Sequence, residues 1–149
     1  MSPHQDAGAP LMKRSLFACA VLLCSWGSLV QPAVAEELAT SSGAQLYQRY
    51  CASCHGREGR GDGPVASTFK AAVPDLTLLA RRRGNQFPSD IVRRVIDGQE
   101  IRPQHGSRMM PVWGQEFWVA EGADEKARQQ AAAAIDRLVQ HLESMQVAP

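Results

Sequence analysis

Residues 51–56 read CASCHG, which places two cysteines three positions apart and a histidine directly after the second. On a helical turn, residues at i, i+3 and i+4 leave the same side, so Cys51, Cys54 and His55 could act together. This order of two thiols and an imidazole fits three kinds of site: a redox dithiol, part of a zinc site, or covalent attachment of a haem. In the haem case the thiols bind the vinyl edge of the porphyrin and the imidazole reaches the iron.

The first two readings lack the surroundings that they need. A Cys-x-x-Cys redox pair is usually found in a strand-and-helix fold, and the sequence shows no strand-like alternation of apolar residues. A closed zinc site needs four ligands. The other two cysteines lie in an apolar leader, and the remaining histidines of the mature chain, His105 and His141, stand far apart. The sequence therefore favours one haem c, bound through Cys51 and Cys54 with His55 on the iron.

An iron held by one histidine has a sixth position that is either filled or open. Met110 follows His55 by 55 residues and directly precedes Pro111. Because proline biases the preceding residue to an extended backbone, Met110 should be held in place. A thioether there would complete the His/Met pair that raises a haem potential. We predict Met110 as the second axial ligand; Met109 is its rival, and packing in the core is the alternative for either methionine.

The start of the chain predicts a secretory signal peptide. Lys13 and Arg14 precede an apolar run over residues 15–30, and small residues at 33 and 35 offer a cleavage site after Ala35. The run is shorter than the roughly 20 residues that span a bilayer, so an uncleaved segment would be the only tie to a membrane. We expect a signal peptide over residues 1–35, of which 1–11 fit an upstream extension, then one domain over 36–149 in the periplasm.

The charge of the mature chain excludes one class of partner. The whole sequence has 16 Lys and Arg against 15 Asp and Glu. Lys13, Arg14 and Asp6 lie in the leader, so the predicted mature chain carries 14 charges of each sign. A nucleic-acid-binding domain would carry a basic excess, so no nucleic-acid partner is expected.

Helical spacing of apolar residues recurs in three places. A first helix should begin at Ser41 or Ser42 and end near the cysteines, and a short helix should begin at residue 88 or 89 and end at Gly98. The longest helix should lie within residues 123–145, with acidic residues in its first turn. Its apolar stripe consists of Ala127, Ala131, Ala134, Ile135, Leu138 and Leu142. Residues 56–84 and 99–122 read as irregular loops, so an all-α domain with little aliphatic core is predicted, and a large apolar cofactor would help to fill it.

Four motifs in order carry a resemblance to a known family: CASCHG, GRGDGP, PDLT and MPVWG. Over almost all of residues 39–143 the chain resembles the class I c-type cytochromes, small bacterial periplasmic proteins with one haem. The resemblance implies the cytochrome c fold, three to five helices wrapped around one covalently attached haem, with crossing terminal helices. It implies that Gly43 and Tyr47 or Tyr50 meet the alanine-lined stripe of the last helix. It also implies that the Pro74 carbonyl accepts a hydrogen bond from His55.

Other residues near these motifs have two readings each. Arg108 and Trp113 flank the predicted ligand and could hydrogen-bond the anionic haem propionates, or they could be a surface residue and a core residue. Arg81–Arg83 could dock an acidic partner, although a solvated turn is favoured. His105 could be a pH-sensitive neighbour of a propionate or an alternative iron ligand, although a surface position is favoured. The aromatic pair at 117–118 should pack the second loop onto the core.

Closed coordination would leave the iron no position for a substrate. The prediction is therefore a one-electron carrier and not an enzyme, either free or as the cytochrome subunit of a redox complex, with redox proteins as donor and acceptor. The alternative is an open-coordination haem that acts as a peroxidase-like enzyme or as a gas sensor.

Overall fold

The computed structural model describes residues 38–100 and 110–148, and this part of the chain contains helices and no strands. Five helices follow one another, and residues 38–40 form a further helical turn. The helices are α1 (Gly43–Tyr50), α2 (Ala52–His55), α3 (Ser89–Asp97), α4 (Trp113–Ala120) and α5 (Glu125–Ser144). The prediction of an all-α fold is confirmed. The predicted signal peptide lies outside the described residues.

Helix α1 begins and ends where its sequence directs. Ser42 caps it with a complete capping box: the Ser42 hydroxyl accepts from the Gln45 amide, and the Gln45 side chain accepts from the Ser42 amide. Cys51 ends α1 and also stands directly before α2. The predicted start of this helix at residue 41 or 42 and its end at the cysteines are therefore confirmed.

The long C-terminal helix α5 supplies most of the core. Asp124 caps it by accepting a hydrogen bond of 2.7 Å from the Ala127 amide. All six residues of the predicted stripe are buried, and Val139 is buried with them. Helices α1, α3 and α4 all pack against α5, so this one helix joins the rest of the domain.

The crossing of α1 and α5 depends on Gly43. A Cβ atom at Gly43 would overlap the backbone carbonyl oxygen of Arg137 and would lie 3.0 Å from the Cβ of His141. The terminal helices therefore cross as predicted, but the location of the contact differs. Gly43 meets α5 at Arg137 and His141 rather than on the alanine stripe, because the close approach is made to backbone and needs small size only on the glycine side.

Helix α3 confirms its prediction and α4 corrects one. Helix α3 follows Pro88 and ends at Gly98, whose φ of 79° is left-handed. The second stretch expected to be an irregular loop contains α4. Trp113 and Phe117, one turn apart, lie on the same side of α4 and contact Tyr50, so tertiary packing stabilises a helix whose glycines suggested a loop.

The segment between α2 and α3 is irregular, as predicted. It holds three short 3-10 turns: Ala66–Thr68, Leu76–Leu78 and Arg81–Arg83.

Phe117 and Tyr47 are among the largest fully buried side chains of the core. In the part of the chain that the structure describes, no helix is both long and apolar enough to cross a membrane.

Candidate haem site

The two cysteines and the histidine of the CASCHG motif lie on one helical turn. The amides of Cys54 and His55 both donate to the Cys51 carbonyl, at 3.2 and 2.9 Å. Both cysteines are free thiols and both are partly buried. The turn therefore brings Cys51, Cys54 and His55 together, as their spacing predicts.

The environment of Cys51 does not suit thiol redox catalysis. Burial, and to a smaller extent the neighbouring Cys54, raises the pKa of the Cys51 thiol to about 12. Cys-x-x-Cys redox proteins do the opposite, because they lower the pKa of one thiol to form the reactive thiolate. In the folded chain Cys51 stays protonated near neutral pH, which weakens the redox-dithiol reading.

His55 is oriented by the backbone of a distant loop. Its Nδ1 atom lies 3.3 Å from the carbonyl oxygen of Pro74. Burial lowers the pKa of His55, and the hydrogen bond to Pro74 partly opposes this shift. A carbonyl can only accept, so the contact selects the tautomer with the proton on Nδ1 and leaves the Nε2 lone pair available to a metal.

The loop after the motif folds back onto it. Gly61 donates to the His55 carbonyl at 2.8 Å, and Gly63 donates to the Cys54 carbonyl at 3.2 Å. A Cβ atom on Gly63 would overlap the carbonyl oxygen of Ser53. Gly61, with φ of 81°, leaves no room for a Cβ against the Val73 carbonyl. The glycines of this loop thus allow backbone to lie directly on the cysteine turn.

Pro74 belongs to a segment with its own supports. Asp75 accepts hydrogen bonds from the amide and the hydroxyl of Thr77, at 2.8 and 2.6 Å. The Leu76 amide donates to the Gly59 carbonyl at 2.7 Å. The segment after Pro74 is therefore fixed both to itself and to the loop that follows the cysteines.

Met110 and Trp113 follow residues 101–109, which the structure does not describe. Met110 is partly buried and packs against the hydrophobic core. The ring of Trp113 lies 5.2 Å from that of Tyr50, the residue before Cys51, and 5.6 Å from that of Phe117. This aromatic cluster joins the chain around Met110 to the cysteine motif. A hydrogen bond from Trp113 to a propionate stays a prediction.

Three residues considered for the site, Arg108, Met109 and His105, lie outside the described residues. Arg81–Arg83 form an exposed 3-10 turn, in which Arg82 donates to the Asp75 carbonyl at 3.0 Å. Of the aromatic pair at 117–118, Phe117 is buried in the core, and the Trp118 indole donates to the Asp124 carbonyl at 3.0 Å.

The sequence did not reveal two supports of the site. Tyr47 was expected only to pack against the last helix, but its hydroxyl also donates to the Gly56 carbonyl at 2.7 Å. Gln146, beyond the end of α5, contacts the segment that follows Pro74. Neither contact has a sequence signal, because each joins a side chain to a backbone group of another segment.

Comparison with protein families gives a match that covers most of the described residues. Residues 38–133 match the family model described as cytochrome C oxidase, cbb3-type, subunit III, and this range covers well over half of the chain. The chain belongs to this family of c-type cytochrome domains. The comparisons with curated proteins and with solved structures returned no match.

Family membership implies a haem c and haem-based electron transfer, and the residues present fit that group. Two free thiols on one turn can form two thioether bonds, and the imidazole beside them has its Nδ1 atom directed at a carbonyl and its Nε2 atom available. The all-α cytochrome c fold and the electron-transfer role of the domain follow from the match and the helical structure together.

Proposed function

We propose that this chain is a periplasmic one-electron carrier with a single haem c, attached through Cys51 and Cys54, and with His55 and Met110 as axial ligands. It acts either free or as the cytochrome subunit of a redox enzyme complex. The family name, cytochrome C oxidase, cbb3-type, subunit III, supports the subunit arrangement. Other redox proteins serve as its electron donor and acceptor.

The observation that carries the proposal is the contact between His55 Nδ1 and the Pro74 carbonyl. It supports His55 as an iron ligand because the remaining nitrogen, Nε2, is the one that must be free of a proton. The hydrogen bond also increases the electron density that the imidazole gives to a metal. Within the described CASCHG motif, His55 is the only side chain that offers a nitrogen lone pair to a metal, and it stands beside the two thiols.

The surroundings of Met110 support its assignment as the second axial ligand. Its side chain is partly buried against the core, and Pro111 restricts its backbone. The Tyr50–Trp113–Phe117 cluster packs the start of α4, three residues later, against the helix that leads into Cys51. A methionine placed between these constraints can remain on the iron in both oxidation states.

The bound haem supplies an iron that accepts and releases one electron. The chain would hold that group through its own side chains: Cys51 and Cys54 through thioether bonds, and His55 Nε2 and the Met110 sulfur as ligands of the iron. Because side chains would fill both ligand positions, the iron would offer no site to a substrate and would serve electron transfer.

Expression in a host that attaches haem to cytochromes c tests the proposal. We expect a coloured protein that keeps its pigment after denaturation, because thioether bonds survive unfolding. The oxidised form should show the far-red absorption band of methionine sulfur on iron, and the reduced form should bind carbon monoxide slowly at neutral pH. A colourless product would overturn the proposal. Rapid carbon monoxide binding without the far-red band would favour the open-coordination alternative.

Location and assembly need separate measurements. We expect the purified mature chain to begin at Glu36 and to appear in the periplasmic fraction, since cleavage is predicted after Ala35. Purification under mild conditions should return the chain alone if it is a free carrier, and with larger subunits if it belongs to a complex. Retention of residues 1–35 in a membrane fraction would contradict the predicted cleavage.

A further inference from the structure

The chain after α5 lies against the segment that follows Pro74. Gln146 accepts a hydrogen bond of 2.9 Å from the Ala80 amide and donates one of 2.8 Å to the Leu76 carbonyl. The next amide, of Val147, donates to the Thr77 carbonyl at 3.0 Å. Three consecutive attachments thus join residues 146–147 to residues 76–80, about 70 positions earlier.

Gln146 is itself held in place from α5. Its side-chain nitrogen also donates to the Leu142 carbonyl at 2.7 Å, so the amide group bridges the last turn of α5 and the distant segment. Leu142 is buried in the core. The bridge therefore joins residues 76–80 to the longest of the described helices rather than to another loop.

Residues 76–80 continue directly from Pro74, whose carbonyl lies 3.3 Å from His55 Nδ1. The Leu76 amide donates to the carbonyl of Gly59, in the loop that follows the cysteine motif. The Leu76 carbonyl accepts from the side chain of Gln146, which follows α5. Both polar groups of the Leu76 backbone are thus hydrogen-bonded, two residues after Pro74.

We propose that Gln146 is a positioning residue of the haem site, which holds the Pro74 carbonyl on His55 and thereby sets the balance between Fe(III) and Fe(II). This inference rests on the proposed function, since it requires His55 on a haem iron. It concerns a feature of this chain beyond the family match, because the matched range ends at residue 133.

The expected sign follows from the chemistry of the imidazole. A firm hydrogen bond from Nδ1–H to a carbonyl makes the imidazole a stronger electron donor, which favours Fe(III) over Fe(II). Loss of the Gln146 bridge lets residues 74–80 move away from His55. The imidazole then donates less, and the equilibrium shifts toward Fe(II).

The test compares two substitutions on the C-terminal part of the full-length holoprotein. Gln146→Met keeps the side-chain length but removes the three hydrogen bonds of that side chain, to Ala80, Leu76 and Leu142. Gln140→Met is the matched control, because Gln140 is exposed on α5. For Gln146→Met we expect a shift toward Fe(II) of roughly three- to tenfold, at most about 59 mV for one electron. The control should leave the potential unchanged.

A second readout separates positioning from general loosening of the fold. In the reduced protein, the His55 Nδ1 proton can be followed by NMR, and its exchange with solvent should become faster in Gln146→Met and stay unchanged in Gln140→Met. The far-red band should persist in both. An unchanged potential together with an unchanged exchange rate in Gln146→Met would overturn the inference.

A backbone variant decides the case if Gln146→Met yields no folded holoprotein. Val147→Pro removes the amide that donates to Thr77, whereas Val147→Ala keeps it, and the side chain of Val147 is 43% exposed. We expect the shift toward Fe(II) in Val147→Pro and not in Val147→Ala; equal potentials for the two would refute the inference. Failure of the proposed function is distinct, because it would show in the wild-type spectrum.

Discussion

The hydroxyl of Tyr47 donates a hydrogen bond of 2.7 Å to the carbonyl oxygen of Gly56. Tyr47 lies in α1 and is fully buried, while Gly56 is the residue directly after His55. The bond therefore joins the core between α1 and α5 to the end of the cysteine turn. Burial raises the pKa of the Tyr47 phenol, and nearby Cys51 raises it further, so the hydroxyl stays protonated and remains a donor.

Replacement of Tyr47 by Phe should destabilise the folded chain. The Gly56 carbonyl would keep only the Gly59 amide, at 3.2 Å, as a donor, and loss of one intramolecular hydrogen bond costs about 0.5–1.5 kcal/mol. Denaturant unfolding of the holoprotein measures this loss. Tyr50→Phe is the matched control, because no hydrogen bond from its hydroxyl is found among the described residues, and its ring contacts would persist. Equal stabilities of the two variants would show that the Tyr47 bond contributes nothing.

Replacement of Gly43 by Ala should also destabilise the chain, although alanine favours helix by about 1 kcal/mol over glycine. The added Cβ would overlap the Arg137 carbonyl, so α1 and α5 would have to separate. Overpacking of this kind costs about 1–3 kcal/mol.

Thermal unfolding of Gly43→Ala and of the neighbouring Ala44→Gly checks this expectation. Ala44 is exposed, so its replacement should cost only the helical preference of alanine, about 0.5–1 kcal/mol. A Gly43→Ala variant more stable than the wild type would mean that helical preference outweighs the close contact.

Substitution of Met110 by Ala should abolish the far-red band and lower the reduction potential. Loss of the thioether removes the ligand that favours Fe(II), and axial ligands move haem potentials within a span of about 0.8 V. We expect a decrease of roughly a tenth of that span or more. Spectroelectrochemistry of the purified protein gives both quantities.

Two further methionines serve as comparisons for Met110. Met145 also packs against the core, and its Cε lies beside Gly59, so Met145→Ala should keep the band. Met109→Ala should keep it as well. If Met109→Ala loses the band and Met110→Ala retains it, the ligand assignment is wrong.

The acid side of the stability profile should depend on His141. Burial lowers the pKa of His141, whose ring lies 5.3 Å from that of Tyr47. Among the described residues, its Nε2 has no hydrogen-bond partner. The unfolded state therefore binds a proton more readily than the folded state. The stability associated with a neutral His141 is complete above its ordinary pKa of about 6.5 and is lost as the pH falls below that value.

His141→Phe keeps a ring against Tyr47 and removes the titration. Unfolding free energies measured from about pH 8 down to about pH 5 should fall less steeply in the variant than in the wild type. Because the two proteins differ only at residue 141, the difference between their profiles isolates the imidazole. Parallel profiles would show that His141 binds protons equally in the folded and unfolded states.

The helices whose ends carry local signals could be predicted from sequence. Ser42 with Gln45 forms a capping box, and Gly98 takes the left-handed conformation that ends α3. The stripe of α5 is long enough to show its period. These features depend on residues within a few positions of one another, so the sequence alone displays them.

Helix α4 could not be predicted because its stability comes from elsewhere. Gly114 lies in its first turn and Gly122 follows its end, a pattern that suggests a loop. What stabilises it is the contact of Trp113 and Phe117 with Tyr50, more than 60 positions earlier in the sequence.

The chemistry of the site could be predicted from the sequence more readily than the contacts that support it. The order of Cys51, Cys54 and His55 indicates a haem by itself, and the position of Pro74 beside His55 agrees with what the resemblance implied. The bridge from Gln146 was invisible, because a glutamine beyond a helix end has many uses and its partners lie far away in the sequence. The assignments of Met110 and Arg108 remain predictions.

The contact of Gly43 with Arg137 also bears on the order of events during folding. Leu46 and Tyr47 are buried where α1 packs against α5, so their apolar surfaces stay uncovered until α5 is in place. Closing the roughly 90-residue span between the two helices carries an entropic cost that no earlier contact fully removes. Helix α1 and the distant α5 must therefore meet before the core around α1 is complete.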